Sequence, residues 1–231
     1  MHTFFRPRNY AVKIHPSFKY AWVNIPKNCS SFVQKVLDDN NWLDVPEDMI
    51  DGILKSNTIE KLVILRDPVQ RWISGFAETF GIQDNWDPIL KIDLDNLNIV
   101  LQNETFWKII YNNLVMCHHT ELQHRYIANA ENVIFINMQD KHADYQVANP
   151  NRFYKTFAEY ILYTGGQQNF SHWNQLTNPV NNDKNKLKVY NIILEAIKSN
   201  PSIKEELRLS HIDDYNLFNN LKRFKTNDTR D

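Results

Sequence analysis

The chain is poor in the residues that most often announce a function. Only two of its 231 residues are cysteine, Cys29 and Cys117, too few for a disulfide framework or a cysteine zinc site. Its five glycines build no Gly-x-x-x-x-Gly-Lys-Ser/Thr loop, which argues against a P-loop kinase or other NTPase. No apolar run is long enough for a membrane span or a signal peptide. The default expectation is therefore a soluble, cytoplasmic protein without a membrane span. Lys and Arg number 26 against 27 Asp and Glu, a net charge of −1 that argues against a general nucleic-acid binder. No internal repeat or low-complexity tract is visible. The length suits a single α/β domain, expected over residues 1–224, with Lys225 to Asp231 as a frayed tail.

What is present centres on Tyr20 to Phe32, YAWVNIPKNCSSF. Tyr20 to Ile25 is apolar, aromatic and β-branched, and it is stopped by Pro26, the pattern of a buried strand. Lys27-Asn28-Cys29-Ser30-Ser31 follows, and Phe32, Val33, Val36 and Leu37 then recur at helical spacing. A helix start of small hydroxyl residues leaves several backbone N–H groups facing outward, and the helix dipole favours an anion there. Lys27 would stand beside that anion as a point charge on a bridging or leaving oxygen. Taken alone, the stretch also fits a plain capped turn with Lys27 in solvent.

Lys61 to Phe76, KLVILRDPVQRWISGF, adds a second such unit. Leu62 to Leu65 reads as a central strand covered on both faces, broken by Arg66-Asp67-Pro68. Gln70 to Phe80 reads as a helix with Trp72, Ile73, Phe76 and Phe80 inward. Arg66 then lies at the carboxyl end of a strand, where open α/β sheets bind ligands, and Ser74 on the next helix.

Together the two stretches resemble the paired nucleotide motifs of sulfotransferases that use 3′-phosphoadenosine 5′-phosphosulfate (PAPS), closest in pattern to the carbohydrate, membrane-type enzymes. In that family a Pro-Lys loop with small and hydroxyl residues wraps the 5′-phosphosulfate. Pro26, Lys27, Asn28, Cys29, Ser30 and Ser31 match it, with Cys29 where the family often has Gly or Ala. An Arg-Asp-Pro motif followed by Arg, then Ser and an aromatic, holds the 3′-phosphate. Arg66-Asp67-Pro68, Arg71, Ser74 and Phe76 match it. The resemblance implies a P-loop-like three-layer α/β fold with a central, mostly parallel sheet flanked by helices.

Downstream, Cys117-His118-His119-Thr120-Glu121-Leu122-Gln123 is similar to a His-x-x-x-Gln segment of the carbohydrate-type enzymes, aligned on His119 and Gln123. There a histidine is associated with acceptor activation, so His119, with His118 second, is the expected general base. The residues alone equally allow a capping or core histidine. Zinc is not expected, because no Asp or Cys stands at a recognisable ligand spacing. His172 and Asn174 match a loop histidine or asparagine of the family weakly. Trp86, Phe106, Trp107 and Tyr111 fit an acceptor pocket or, at helical spacing, core. Asn132 to Met138 reads as a strand, and Arg152 to Tyr163 as a helix ended by Gly165-Gly166. The segment before Lys19 reads as a strand or arm on the sheet edge.

The implied reaction moves a sulfuryl group from PAPS to an acceptor hydroxyl, expected to be a carbohydrate's, with 3′-phosphoadenosine 5′-phosphate (PAP) as product and no metal. Two rivals stay open: a P-loop nucleotide kinase, with Leu62 to Asp67 as a Walker B strand, and a non-catalytic nucleotide-binding module. Acceptor identity and oligomeric state are not legible.

Overall fold

The structure, a computed structural model, describes residues 11–81, 96–112, 119–137, 157–167 and 184–217. In chain order its elements are β1 (Val12–Ile14), β2 (Tyr20–Val23), α1 (Ser30–Asp39), β3 (Leu43–Asp44), α2 (Glu47–Lys55), β4 (Glu60–Leu65), α3 (Pro68–Gly81), α4 (Leu97–Val100), α5 (Glu104–Asn112), a 3-10 turn (Gln123–Tyr126), β5 (Val133–Asn137), α6 (Phe157–Tyr163), α7 (Lys184–Ser199) and α8 (Pro201–Ser210). The chain divides into two compact units, Met1–Asp67 with Gln123–Thr177 and Asn216–Asp231, and Pro68–Leu122 with Asn178–Tyr215.

The first unit is mixed α/β. Its sheet runs in the order β3-β1-β2-β4-β5. β2 pairs with β4 and β4 with β5 in parallel, while β1 is antiparallel to both β2 and β3. Only β1 therefore runs against the others. Every residue of β4 is buried, as its continuous apolar run requires of a strand covered on both faces. One face meets α1 and α6, where Trp22, Leu62, Ile64, Ile134 and Ile136 pack on Phe32, Val33, Val36, Leu37, Tyr160 and Ile161. The opposite face, with Val12, Val23, Val63 and Leu65, packs on Ile50, Ile53 and Leu54 of α2 and on Tyr126.

Local chemistry accounts for the helix limits. α1 buries the four residues its spacing predicts. It ends where Asn40 returns Nδ2 to the Val36 carbonyl at 2.8 Å and Asn41 turns left-handed at φ 59°. α2 starts after Pro46 with Glu47 and Asp48 in its first turn and Lys55 in its last, the polarity the helix dipole favours. Gly165, at φ 86°, follows α6 in the left-handed region that glycine enters without steric cost.

The margin of the sheet differs from the sequence reading. β1 is not an edge strand, because the two-residue β3 adds outside it. Lys13 on β1 is also buried, 2 % exposed, with Nζ 2.7 Å from both Asp38 Oδ1 and Asp44 Oδ1. Burial opposes its charge, but the hydrogen bonds and charges of Asp38 and Asp44 outweigh burial and hold the ammonium above the usual lysine value of 10.5. A group whose folded pKa is raised gives stability that is complete below the unfolded value and lost as pH rises through the folded one. Lys13→Met keeps the stem and removes the charge. It is expected to lower the unfolding free energy by about 2 kcal/mol at neutral pH, with the gap to wild type closing above pH 10.5 in urea titrations.

The second unit is helical in all its described elements. Trp72, Ile73 and Phe76 of α3 share a core with Val189, Ile193 and Ile197 of α7 and with Ile203 and Leu207 of α8. Phe106 and Trp107 of α5 belong to it too, and Trp107 Nε1 donates to the Leu101 carbonyl at 2.8 Å. For these two aromatics the structure favours core over an acceptor pocket. Trp86 and the Tyr111 side chain lie outside the described residues. α8 opens with Pro201 and is capped by Asn200, whose Oδ1 accepts from the Ser202 and Ile203 amides. Lys186 pairs with Glu78 at 2.9 Å. No helix among the described residues is long and apolar enough to cross a membrane.

Candidate functional site

The first loop leaves β2 and turns tightly on itself. Asn28 N–H donates to the Ile25 carbonyl at 3.2 Å, and the Ser30 hydroxyl donates to the same oxygen at 3.0 Å. The Ser30 proton is therefore spent closing the loop, whereas Ser31 is exposed. Lys27, half-buried, has φ 69° and Cys29 has φ 61°, with Asn28 between them outside the left-handed region. Such alternation of backbone sign turns successive N–H groups towards a common side, the nest geometry that holds anions. Cys29 is also the N-cap of α1, and no side chain caps that start.

A left-handed residue other than glycine costs about 1 kcal/mol, so the loop stores strain where the sequence offers no glycine. At an ordinary helix position alanine is more stabilising than glycine. At Cys29 the order is expected to invert, with Cys29→Gly more stable than Cys29→Ala by about 1 kcal/mol. Urea unfolding of the two variants reads the difference directly.

The second loop starts one residue past the end of β4. β2 and β4 are parallel neighbours with Val23 opposite Val63, so both loops leave the same end of the sheet, where open α/β sheets place ligands. A third segment ties them together. Gln123 Oε1 accepts from Asn28 Nδ2 at 2.7 Å and from the Arg66 N–H at 3.2 Å, and Gln123 Nε2 donates to the Arg66 carbonyl at 3.0 Å. Asn28 Nδ2 donates as well to the Ile64 carbonyl at 2.7 Å. Both amide side chains are buried, Asn28 at 2 % and Gln123 at 1 % exposure. Asn28 thus faces inward as loop scaffold, through its side chain and through its N–H to the Ile25 carbonyl.

In the second unit the predicted residues lie on α3 and on the segment before Gln123. Arg71 is 2 % exposed, and its guanidinium donates to the Glu121 carbonyl. Its described bond therefore fixes the segment that carries His119. Ser74 is half-buried three residues further along α3. Gly75 marks a close approach, since a Cβ built there would sit 2.2 Å from the His119 carbonyl oxygen. His119 is half-buried. His118, Cys117, His172 and Asn174 lie outside the described residues.

Sequence reasoning treated Gln123 only as an alignment mate of His119 and gave no special weight to Gly75. The isolated glycine inside a helical pattern was the available signal for a close contact. For Gln123 no local signal exists, because its partners Asn28 and Arg66 are 95 and 57 positions away. Among the described residues no group of three His, Cys, Asp or Glu side chains could hold a metal ion. Comparison with protein-family models, with curated proteins and with solved structures finds no match. Chemically, the first unit presents a strained amide-rich loop with a lysine, cross-linked to a loop with an arginine. That arrangement suits two anionic groups of one ligand.

Proposed function

We propose that this chain is a PAPS-dependent sulfotransferase of P-loop-like fold that sulfates a hydroxyl, most simply that of a carbohydrate. The observation that carries the reading is the cross-link by Gln123 of a Pro-Lys-hydroxyl loop to an Arg-Asp-Pro loop at the ends of adjacent parallel strands. A donor with anionic groups at its 5′ and 3′ positions asks for two cradles at fixed spacing.

In the reaction the acceptor oxygen attacks sulfur in line with the bridging oxygen, the S–O bond to the 5′-phosphate breaks, and PAP leaves with the bonding electrons. Charge grows on the bridging oxygen, which Lys27 neutralises. The nest amides and Ser31 hold the 5′-phosphate, and Arg66 the 3′-phosphate. The family resemblance extends the 3′-phosphate set to Ser74 and Arg71 and gives the acceptor's proton to His119, or to His118 as second choice. The closed hydrogen bond of Arg71 to Glu121 makes it a supporting residue in that set.

The test is calorimetry with PAP and with ATP–Mg²⁺, followed by transfer of radiolabelled sulfate from PAPS to a panel of sugars, alcohols and tyrosyl peptides. PAP binding at least about tenfold tighter than ATP–Mg²⁺, equivalent to about 1.4 kcal/mol, together with labelled product, supports the proposal. ATP–Mg²⁺ binding without PAP binding would return the kinase alternative. PAP binding with no labelled product across the panel would return the binding module.

A further inference from the structure

The amide of Gln123 does more than fill a gap between loops. It meets Arg66 as a neighbouring strand would, accepting from the Arg66 N–H at 3.2 Å and donating to the Arg66 carbonyl at 3.0 Å, one residue beyond the last residue of β4. Those two complementary bonds fix which end of the amide is oxygen. The same oxygen then takes Asn28 Nδ2 at 2.7 Å, and Asn28 closes the circuit on the Ile64 carbonyl at 2.7 Å. The first loop is thus held to the second through a buried side-chain amide that is 1 % exposed. Buried polar networks of this kind rigidify what they connect, because any rearrangement leaves a desolvated donor or acceptor without its partner.

We infer that Gln123 is a positioning residue that locks the spacing of the Pro26–Ser31 and Arg66–Asp67 loops and thereby sets selectivity for a ligand with anionic groups at two separated points over ligands with only one. The inference rests on the proposed donor reading for the identity of that ligand, but the lock itself is a property of the empty protein. Two-point binding gains its advantage from effective concentration, and a second cradle that wanders gives up that gain without losing its own contacts. A glutamine is the required chemistry. Methionine has similar length but no amide, whereas glutamate keeps acceptors for Asn28 and Arg66, loses the donor to the Arg66 carbonyl, and adds negative charge between loops that would hold anions.

The experiment compares wild type, Gln123→Met and Gln123→Glu. The first arm, on the unliganded full chain, is amide hydrogen exchange. Faster exchange in both loops of Gln123→Met, with little change in α1 and α2, is expected, and unchanged protection in the two loops overturns the lock. The second arm measures Kd for PAP, adenosine 5′-phosphosulfate and adenosine 3′-monophosphate. In Gln123→Met the advantage of PAP over the two ligands that are anionic at one position only should shrink by about tenfold or more, while the Kd of each of those changes less than about threefold. Gln123→Glu should weaken all three, PAP most. An equal loss for all ligands in Gln123→Met would reduce Gln123 to general scaffold and overturn the inference. Should Gln123→Met not fold, loop exchange in Gln123→Glu carries the decision, since it is read without ligand and lacks the donor to the Arg66 carbonyl; unchanged protection there overturns the lock. A wild-type protein with no preference for PAP overturns the donor reading itself, and that failure is visible before any substitution is made.

Discussion

Lys27→Ala is expected to lower sulfuryl transfer about a thousandfold while weakening PAP binding less than about tenfold. The asymmetry follows from when the charge is needed. On the proposed donor reading, the negative charge in the ground state is spread over phosphate and sulfate oxygens, and the amides between the strand end and α1 would hold it without Lys27. Only as the S–O bond breaks does charge concentrate on the bridging oxygen, so a cation there acts mainly on the transition state. Removing one well-aimed electrostatic group of this type costs about 3 to 4 kcal/mol of barrier. The left-handed backbone at Lys27, φ 69°, sharpens the comparison, since alanine keeps the same steric penalty that lysine has there. The substitution therefore does not relax the left-handed backbone there. Near-normal turnover in the variant, measured with saturating PAPS, would falsify the assignment.

Gly75→Ala has the second-largest expected effect, and it acts without touching a reacting group. In an exposed helix the exchange would stabilise by about 1 kcal/mol. Here the added methyl would meet the His119 carbonyl oxygen at 2.2 Å and its carbon at 2.7 Å, both backbone atoms that cannot rotate away. Overpacking of a buried contact costs about 1 to 3 kcal/mol, so a net loss of about 2 kcal/mol in unfolding free energy is expected. Because the Arg71 hydrogen bond to Glu121 holds the same segment, the shift falls on His119. If His119 is the base, a displacement of about 1 Å there lowers transfer about a hundredfold. Gly52→Ala supplies the internal control. Gly52 is exposed on α2 with open space around its Cβ position, and alanine there should stabilise by about 1 kcal/mol with activity unchanged. A folded Gly75→Ala protein that matched wild type in both measurements would remove the strain argument.

The parts of the fold that were legible in the sequence are those encoded locally. β2 and β4 are short apolar runs stopped by Pro26 and by Arg66-Asp67-Pro68, and α1 and α3 carry inward stripes at helical spacing, on α3 Trp72, Ile73 and Phe76, while the Phe80 side chain lies outside the described residues. The observed limits differ from the expected ones by a few residues, as where β2 ends at Val23 instead of Ile25 because Pro26 and the turn at Ile25 draw the chain out of the ladder early. β3 was not legible, since two residues carry no period. Nor was the inward turn of Asn28, which reads from the sequence as one more polar loop residue but spends both Nδ2 hydrogens on Ile64 and Gln123. Hydrogen bonds that close across dozens of positions leave no spacing to find, and the order of the site depends on them.

Among the described residues β3 forms one margin of the sheet, which has a consequence for how copies of this chain meet. An unpaired strand is a template on which another chain can zip, and the hazard grows with its length and flatness. Leu43 is half-exposed there and apolar, yet it is followed at once by Asp44, whose carboxylate is tethered to the ammonium of Lys13. An incoming strand would find a ladder of two residues whose second member carries a tethered charge, so crowded solutions should not gather the protein into fibrils from that side.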